Sequence, residues 1–267
     1  MGGRAPVGVA CAPEAGSLFP IGETEVRCTA IDADTASAAC GFAIRVRVSQ
    51  TLLRTKFVAF GDSITDGAIS LAPLIMLAGP ETYPYKLEQM LLQKYPTQAF
   101  TVVNSGKGGE DTREGAARLP SVIQAEQPEV LLLLEGINHI NELSNARQVS
   151  ALETMVAEAQ RRNVEVIIAT VMPVTPAFSQ YRSTTVPKIR DLNERIFQIA
   201  NEHGLGNVVD LFALFEANPG LIGRDGVHPT SEGQTRIAEA FRDEIVRRYE
   251  SRATMTSRLS NLANDAR

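Results

Sequence analysis

The chain has 267 residues and a net charge of −5; 44% of its residues are hydrophobic and 21% are charged. This composition is ordinary for a globular protein, and the length suffices for one core of good size and a small additional segment. No dense block of Lys and Arg favours binding to nucleic acid or to an anionic membrane. No apolar run approaches the roughly 20 residues of a membrane helix, and the first residues, MGGRAPVGVA, lack the longer apolar core of a signal peptide.

Residues 1–50 read as a β-rich segment. The stretch TEVRCTA places Val26 and Cys28 on one face, and CGFAIRVRV alternates in the same way from Cys40 to Val48. Alternation with a period of two is typical of half-buried strands. Every cysteine of the chain lies here, at positions 11, 28 and 40, and the odd number leaves one thiol without an intramolecular partner.

The spacing C-x-P-x-x-GS-x-FPIG-x-T-x-V-x-CTA-x-D…C-x-F-x-I-x-V in this segment resembles the C-terminal half of a hyalin repeat, an immunoglobulin-like extracellular module. About half a module is present, and Asp34-Thr35 replaces the usual Gly-Asn pair. The resemblance implies a secreted, periplasmic or cell-surface protein, where disulfides persist. The segment is either an adhesion module or a truncated linker domain. We favour the second, since a lone hairpin is only marginally stable.

From about residue 52, short apolar runs alternate with longer segments of helical periodicity. Five runs predict strands, at 56–60, 99–104, 130–135, 164–170 and 207–212. Most are continuous apolar runs, as in parallel strands buried on both faces. We therefore predict an α/β domain over 51–250, a three-layer, doubly wound parallel sheet of five strands with helices on both faces. Residues 251–267 are predicted to be a polar tail.

The residues that follow the strands are the candidates for function, because ligands bind beyond the carboxyl ends of such strands. GDSITDG follows the first strand and contains Ser63, which is either a nucleophile or a helix cap. NSGKGGEDT follows the second, where Gly106, Gly108 and Gly109 let the backbone approach a ligand. A phosphate loop is the alternative, but the P-loop spacing is absent.

Two further motifs complete the candidate site. EGINHINEL follows the third strand, and its Asn138 is either a side-chain N–H donor or a turn residue. RDGVHPTSEGQ precedes the last helix, which is predicted to begin with a capping-box pair, Ser231 and Gln234. The spacing of Asp225 and His228 lets the carboxylate accept a hydrogen bond from Nδ1 while Nε2 faces outward, as in a catalytic triad. Metal binding is the alternative, but no HExxH motif or Cys/His cluster accompanies it.

Together these four motifs resemble the SGNH hydrolase superfamily, the bacterial GDSL-type esterases and lipases, over about residues 55–250. The resemblance implies a flavodoxin-like fold and a serine carboxylester hydrolase that needs no cofactor. By the same resemblance Ser63 is the nucleophile, and Asp225 and His228 complete the triad. The oxyanion hole comprises the N–H groups of Ser63 and Gly109 and the Asn138 side chain; Gly109 is chosen over its glycine neighbour by counting from the end of the strand.

One position departs from the family. The oxyanion asparagine is usually followed by aspartate, whereas His139 stands here. This change is expected to alter local geometry or to place a second imidazole near the pocket. His203, at a predicted helix C-terminus, suits the helix dipole, and Asp62 is interpreted as a structural hydrogen-bonding residue.

The expected substrate is a small-molecule ester. Two apolar segments, AISLAPLIMLAGPETY and VMPVTPAFSQY, are candidate pocket walls and favour short-to-medium acyl or aryl esters. A carbohydrate O-deacetylase is the alternative, although the lack of tryptophan speaks against sugar binding. A third hypothesis, a non-catalytic binding module, is disfavoured by the intact Ser, Asp and His.

Overall fold

The structure is a computed structural model that describes residues 3–46, 50–71, 74–77 and 79–251, with side chains left out at 69–71 and 74–77. Its contacts divide the chain into two compact units, one within residues 1–50 and the other Thr51–Ser251. The predicted polar tail lies outside the described residues, apart from its first residue. Among the described helices, none is both long and apolar enough to cross a membrane.

The first unit contains an antiparallel sheet of β1 (Gly8–Ala12), β2 (Gly22–Ile31) and β3 (Ser37–Val46), in that order. Its two predicted strands are confirmed within these bounds, although the predicted end of the second, at Val48, lies outside the described residues. Cys28 is opposite Cys11 on one side and Cys40 on the other. Cys11 and Cys28 form a disulfide, and Cys40 is a free, exposed thiol.

The second unit contains the α/β domain. Its strands are β4 (Thr51–Leu52), β5 (Lys56–Gly61), β6 (Ala68–Leu71), β7 (Leu74–Leu77), β8 (Thr101–Gly106), β9 (Val130–Leu134), β10 (Glu165–Ile168) and β11 (Glu250–Ser251). Its α-helices are α1 (Ser63–Asp66), α2 (Tyr83–Lys94), α3 (Thr112–Glu126), α4 (Asn145–Arg161), α5 (Thr185–Glu202), α6 (Leu211–Ala217) and α7 (Ser231–Tyr249).

Four of these strands form the parallel sheet, in the order β10-β9-β5-β8. Every side chain of β9 is buried, and since successive side chains point to opposite faces, both faces of the sheet are covered. The chain leaves β5 for the edge strand β8 and then returns to the other side of β5 as β9. The predicted doubly wound α/β fold is therefore confirmed, with the reversal of strand order at β5.

The prediction of a fifth strand at 207–212 is wrong. Val209 makes a single parallel bridge to Ala169, and the chain then turns into α6. Asp210 causes this turn because its carboxylate caps the new helix, accepting hydrogen bonds from the Ala213 amide and the Thr170 hydroxyl, each at 3.0 Å. The sheet thus has four strands, and the fifth position is reduced to one bridge.

The helices bury the faces that their periodicity predicts. On α5, Ile189, Leu192, Ile196 and Ile199 are at most 1% exposed. Helix α2 packs against α7, where the Tyr83 and Phe241 rings stack with centroids 5.4 Å apart, and α4 packs against both α3 and α5. These apolar faces form one continuous core with the central strands.

Gly61 ends β5 at a place where no side chain fits. A Cβ atom there would lie 2.0 Å from the Leu134 carbonyl oxygen and 2.4 Å from the Thr65 hydroxyl. Because the first of these atoms is backbone, it cannot move aside without separating β5 from β9. The first helical turn after β5 is thereby held close to the sheet.

Gly61→Ala is expected to lower the free energy of unfolding by about 3 kcal/mol or more, since the added methyl group overpacks a rigid contact. Gly220→Ala is the matched control, because a Cβ atom at that position meets no atom within 4 Å. Urea denaturation of both variants measures the difference. Equal stabilities of the two variants would contradict this account of the strand end.

Candidate active site

The predicted site residues meet at the carboxyl edge of the sheet, where the strand order reverses. Ser63 follows β5, Gly109 lies in the loop after β8, and Asn138 lies in the loop after β9. Asp225 and His228 come from the turn before α7 and reach the same edge. This is the position at which doubly wound sheets bind their ligands.

Ser63, His228 and Asp225 form a continuous chain of hydrogen bonds. The Ser63 Oγ lies 2.9 Å from His228 Nε2, and His228 Nδ1 lies 2.6 Å from Asp225 Oδ2. The His228 side chain is 11% exposed and that of Asp225 is 23% exposed. The three side chains thus have the arrangement that the sequence spacing predicts.

The Asp225 carboxylate fixes the tautomer of His228. Burial acts to raise the pKa of Asp225, but the His228 ring and the Val227 and His228 amides donate hydrogen bonds to it and lower its pKa below the ordinary value. An ionised carboxylate only accepts hydrogen bonds, so Nδ1 carries the proton that faces it. Nε2 is then free to accept the hydroxyl proton of Ser63.

The turn that carries His228 packs closely against the loop after β10 and is hydrogen-bonded to it. Gly226 has a φ of 80°, and a Cβ atom there would lie 2.3 Å from the Phe178 amide nitrogen. Its carbonyl accepts a hydrogen bond from the Thr175 amide at 2.8 Å, while the Gly223 amide donates to the His228 carbonyl. The loop backbone therefore sets the position of the imidazole.

Asp62, not Ser63, caps helix α1. Its carboxylate accepts a hydrogen bond from the Ile64 amide at 2.9 Å, and Gly67, with a φ of 111°, ends the helix after a single turn. Of the two roles that the sequence allowed for Ser63, the cap is thus taken by its neighbour. The Ser63 hydroxyl remains for His228.

Gln234 supports the turn that carries Ser63 through hydrogen bonds of its side chain. The sequence predicts it as half of a capping box, but Thr230 caps α7, and Gln234 is completely buried. Its amide donates to the Ile64 carbonyl at 2.9 Å and accepts from the Tyr83 amide at 2.8 Å. It therefore joins α1, α2 and α7.

Two loops that carry N–H groups lie at the sheet edge where Ser63 lies. A Cβ atom on Gly108 would lie 3.9 Å from the Ser63 Cβ, so the glycine loop passes close to the nucleophile. The next residue, Gly109, has a φ of 80° and open space at its Cβ position. The Asn138 amide donates one hydrogen bond to the Glu110 carbonyl at 2.8 Å. Since an amide nitrogen has two hydrogens, the other can serve a ligand.

His139 does not join the Ser63–His228 chain. It is half exposed, has a φ of 55°, and its Nδ1 lies 3.1 Å from the buried carboxylate of Asp111. The Arg113 guanidinium, despite the opposing effect of burial, holds the pKa of Asp111 well below its usual range, with the α3 amides and His139 assisting. The imidazole of His139 is therefore held at the N-terminus of α3.

A buried group of ionisable side chains behind the nucleophile was not predicted from the sequence. Glu110 forms a bidentate ion pair with Arg118, whose guanidinium lies 4.1 Å from the centre of the Phe60 ring. Glu135 is 1% exposed, and neither carboxyl oxygen has a hydrogen-bond partner among the described residues. Burial first, and then the charges of Asp62 and Glu110, raise its pKa well above the ordinary value. Its signal in the sequence is a glutamate that ends the apolar run VLLLLE.

The two segments that were predicted as pocket walls lie in different surroundings. Val171, Met172 and Val174 of the second segment are buried in the core. The end of the first segment borders a cavity of about 410 Å³. Its lining combines Pro80, Tyr85 and Val102 with the polar side chains of Asp66, Thr82, Glu88 and Asn104. Within the described part of the chain, no cluster of three or more His, Cys, Asp or Glu side chains could hold a metal ion.

Comparisons with known proteins identify the family of the chain. A model of the GDSL-like Lipase/Acylhydrolase family matches residues 59–236. An arylesterase from Vibrio mimicus is 25% identical over 194 residues, which are 72% of this chain and 88% of that protein. The chain belongs to this family, the SGNH hydrolases, and is a carboxylic ester hydrolase.

Solved structures show the same fold. A lipase/acylhydrolase from Enterococcus faecalis aligns with a TM-score of 0.64 and 23% identity, over 75% of this chain and 100% of that one. A carbohydrate acetylesterase from Sinorhizobium meliloti aligns with a TM-score of 0.61 and 15% identity, over 73% and 99% of the two chains. An acetylxylan esterase from Geobacillus stearothermophilus aligns with a TM-score of 0.59 and 22% identity, over 73% and 96%.

Asp62 is expected to make stability depend on pH. Burial raises its pKa from the ordinary 3.8 to about 6, so between these values the folded chain holds a proton that the unfolded chain has released. The Asp62 contribution to stability therefore falls as the pH rises through this window, by roughly 3 kcal/mol in total, and is constant above it. Asp62→Asn, which retains a capping oxygen, should remove this part of the fall.

Urea denaturation at pH 4 and pH 7 measures the effect. Glu135 and the other acids are present in both proteins, so the difference between their pH dependences reports on Asp62 together with its effect on the pKa of Glu135. The same fall in stability in both proteins would show that Asp62 ionises normally in the folded chain.

Proposed function

We propose that the chain hydrolyses short-to-medium acyl or aryl esters through an acyl-serine intermediate. Ser63 is the nucleophile, His228 the general base and Asp225 the residue that orients it. The observation that carries this proposal is the pair of hydrogen bonds at 2.9 Å and 2.6 Å that joins the three side chains. A serine hydroxyl is a poor nucleophile at neutral pH and needs such a base within hydrogen-bond distance.

In the first half of the reaction, the Ser63 Oγ forms a bond to the ester carbonyl carbon while its proton moves to His228 Nε2. Asp225 stabilises the imidazolium through Nδ1. The tetrahedral intermediate then collapses, the bond to the leaving alkoxide breaks, and His228 returns the proton to that alkoxide. The product alcohol departs and leaves an acyl-serine.

In the second half, His228 takes a proton from water, and the resulting hydroxide attacks the acyl carbon. The bond between the acyl carbon and Ser63 Oγ then breaks, the carboxylic acid is released, and the proton returns from Nε2 to Ser63 Oγ. In both halves the negative oxygen is stabilised by the N–H groups of Ser63 and Gly109 and by the second amide hydrogen of Asn138. Loss of one such donor typically lowers the rate about 10²–10³-fold.

The substrate is proposed from the cavity beside α1. Pro80, Tyr85 and Val102 give it an apolar and aromatic lining that suits an aryl or short acyl group. The similarity to an arylesterase favours the same class.

A carbohydrate O-deacetylase is the second candidate. Its support is the set of polar side chains that line that cavity beside an aromatic ring, together with a fold shared with acetyl esterases of carbohydrates. Acetate release from acetylated xylan, compared with hydrolysis of p-nitrophenyl acetate, separates the two functions. A higher kcat/KM on the polysaccharide would favour the deacetylase.

We further propose that the protein acts outside the cytoplasm, as a secreted, periplasmic or cell-surface enzyme. The Cys11–Cys28 disulfide suits an oxidising compartment. The resemblance of the first unit to half a hyalin repeat supports the same location, with that unit as a linker. Gel electrophoresis with and without reductant, on protein isolated from culture supernatant, tests this proposal.

Ser63→Ala is expected to lower p-nitrophenyl acetate hydrolysis at least 10³-fold, because no other group in the site replaces the attacking oxygen. Ser150→Ala, which truncates an exposed serine on α4, should retain full activity. Initial rates of the purified proteins at one pH are compared. Undiminished hydrolysis by the Ser63 variant would refute the assignment.

A further inference from the structure

We propose that His139 is a positioning residue, which holds the loop of Asn138 against the loop that follows β8. The proposal rests on the proposed function, in which Asn138 donates a hydrogen bond to the oxyanion. It gives His139 a specific role at a position where the family usually has aspartate.

Two adjacent side chains of one loop bind two adjacent residues of the other. The Asn138 amide donates to the Glu110 carbonyl at 2.8 Å, and the His139 ring lies 3.1 Å from the Asp111 carboxylate through Nδ1. The Asn138 bond fixes one point of its loop against the other loop. The His139 bond, one residue further along both loops, fixes a second point and so sets the orientation of the Asn138 side chain.

The backbone of His139 makes this double contact possible. Successive side chains of an extended segment point in opposite directions, but the φ of 55° at His139 breaks this alternation. The Glu142 and Leu143 amides then donate to the His139 carbonyl and close the turn. Since a residue with a side chain rarely adopts this conformation, the hydrogen bond to Asp111 offsets a conformational cost.

Asp111 is a rigid anchor for His139. It is buried and caps α3, where its carboxylate accepts hydrogen bonds from the Arg113 and Glu114 amides. The Arg113 guanidinium binds the same carboxylate at 2.6 Å. An anchor held by a helix terminus and an ion pair does not follow the movement of His139. The ionised carboxylate only accepts hydrogen bonds, so Nδ1 of His139 must carry a proton.

The consequence for catalysis is a more exact position of the Asn138 amide. An oxyanion donor acts on charge that develops in the transition state, so a misplaced donor lowers kcat and leaves KM nearly unchanged. A loosened Asn138 should therefore slow the chemical step by less than its complete removal does, about 10-fold.

Three substitutions separate the side chain from the backbone. His139→Gly allows positive φ but removes the hydrogen bond. His139→Asn tolerates positive φ, and its Nδ2 is attached to Cγ as Nδ1 of histidine is, so it can donate to Asp111. His139→Asp has the shape of the Asn variant but places a carboxylate against the Asp111 carboxylate. The Asn and Asp variants are thus a matched pair that differs in hydrogen-bond donation and charge.

Steady-state kinetics with p-nitrophenyl acetate tests the series. His139→Gly should lower kcat about 10-fold with KM within twofold of the original, His139→Asn should stay within threefold of the original kcat, and His139→Asp should be at least as slow as the Gly variant. An unchanged kcat in the Gly variant, or equal kcat values in the Asn and Asp variants, would overturn the proposal.

Two controls keep the outcome unambiguous. Ser63→Ala is assayed in parallel: if it is inactive and the His139 series is unchanged, only the positioning role fails. If Ser63→Ala is active, the proposed function fails and the positioning role with it. Nitrogen NMR of the unsubstituted protein is independent of activity and of the folding of any variant, and a neutral His139 ring with its proton on Nε2 alone would also overturn the proposal.

Discussion

The parallel pairing of β5 with both of its neighbours is the constraint on which the rest of the site depends. Gly61, the last residue of β5, is level with Gly106 on β8 and with Leu134 on β9. Three loops therefore leave the sheet from one line, and the three site residues follow it closely. Ser63, Gly109 and Asn138 lie two, three and four residues beyond Gly61, Gly106 and Leu134, respectively. The absence of a Cβ atom at Gly61 and Gly106 allows this approach, since a Cβ atom at either would lie within 2.0 Å of neighbouring backbone.

The electrostatics of the site follow from this crowded strand edge. The loops bring Asp62, Glu110 and Glu135 into a region from which water is excluded, with Arg118 as the paired cation. Like charges repel strongly at low dielectric, and Glu135 has no hydrogen-bond partner for its carboxyl oxygens among the described residues, so its pKa is raised well above the ordinary value. Asp225 lies at the more exposed end of the site and is ionised, which is the state that orienting His228 requires.

Much of the domain could be predicted from the sequence because its strands are continuous apolar runs and its helices have clear periodicity. The order of the four motifs also indicated which strand ends would meet. The fifth strand could not be excluded in this way, since Val208 and Val209 favour a strand. The contacts of Asp210 with Thr170 and with the Ala213 amide, which turn the chain into α6, form only in the folded domain. The strands of the first unit were predicted from the alternation of their apolar residues, but the exposure of the Cys40 thiol was not predicted.

Other features were unpredictable because they depend on contacts between distant segments. Asp62 and Ser63 are both good helix caps, and the choice between them follows from the approach of His228. The role of Gln234 requires α1 and α2 to be in place. For His139, the sequence showed a departure from the family but neither the left-handed backbone nor the contact with Asp111.

The central claim is that the Ser63 Oγ, activated by His228, forms a covalent bond with the substrate. Treatment of the protein with a fluorophosphonate probe, followed by mass spectrometry of its proteolytic peptides, tests this claim most directly. The account predicts one adduct, on Ser63, and a much slower reaction in His228→Ala. An adduct on a different residue, or no adduct on protein that hydrolyses esters, would contradict it.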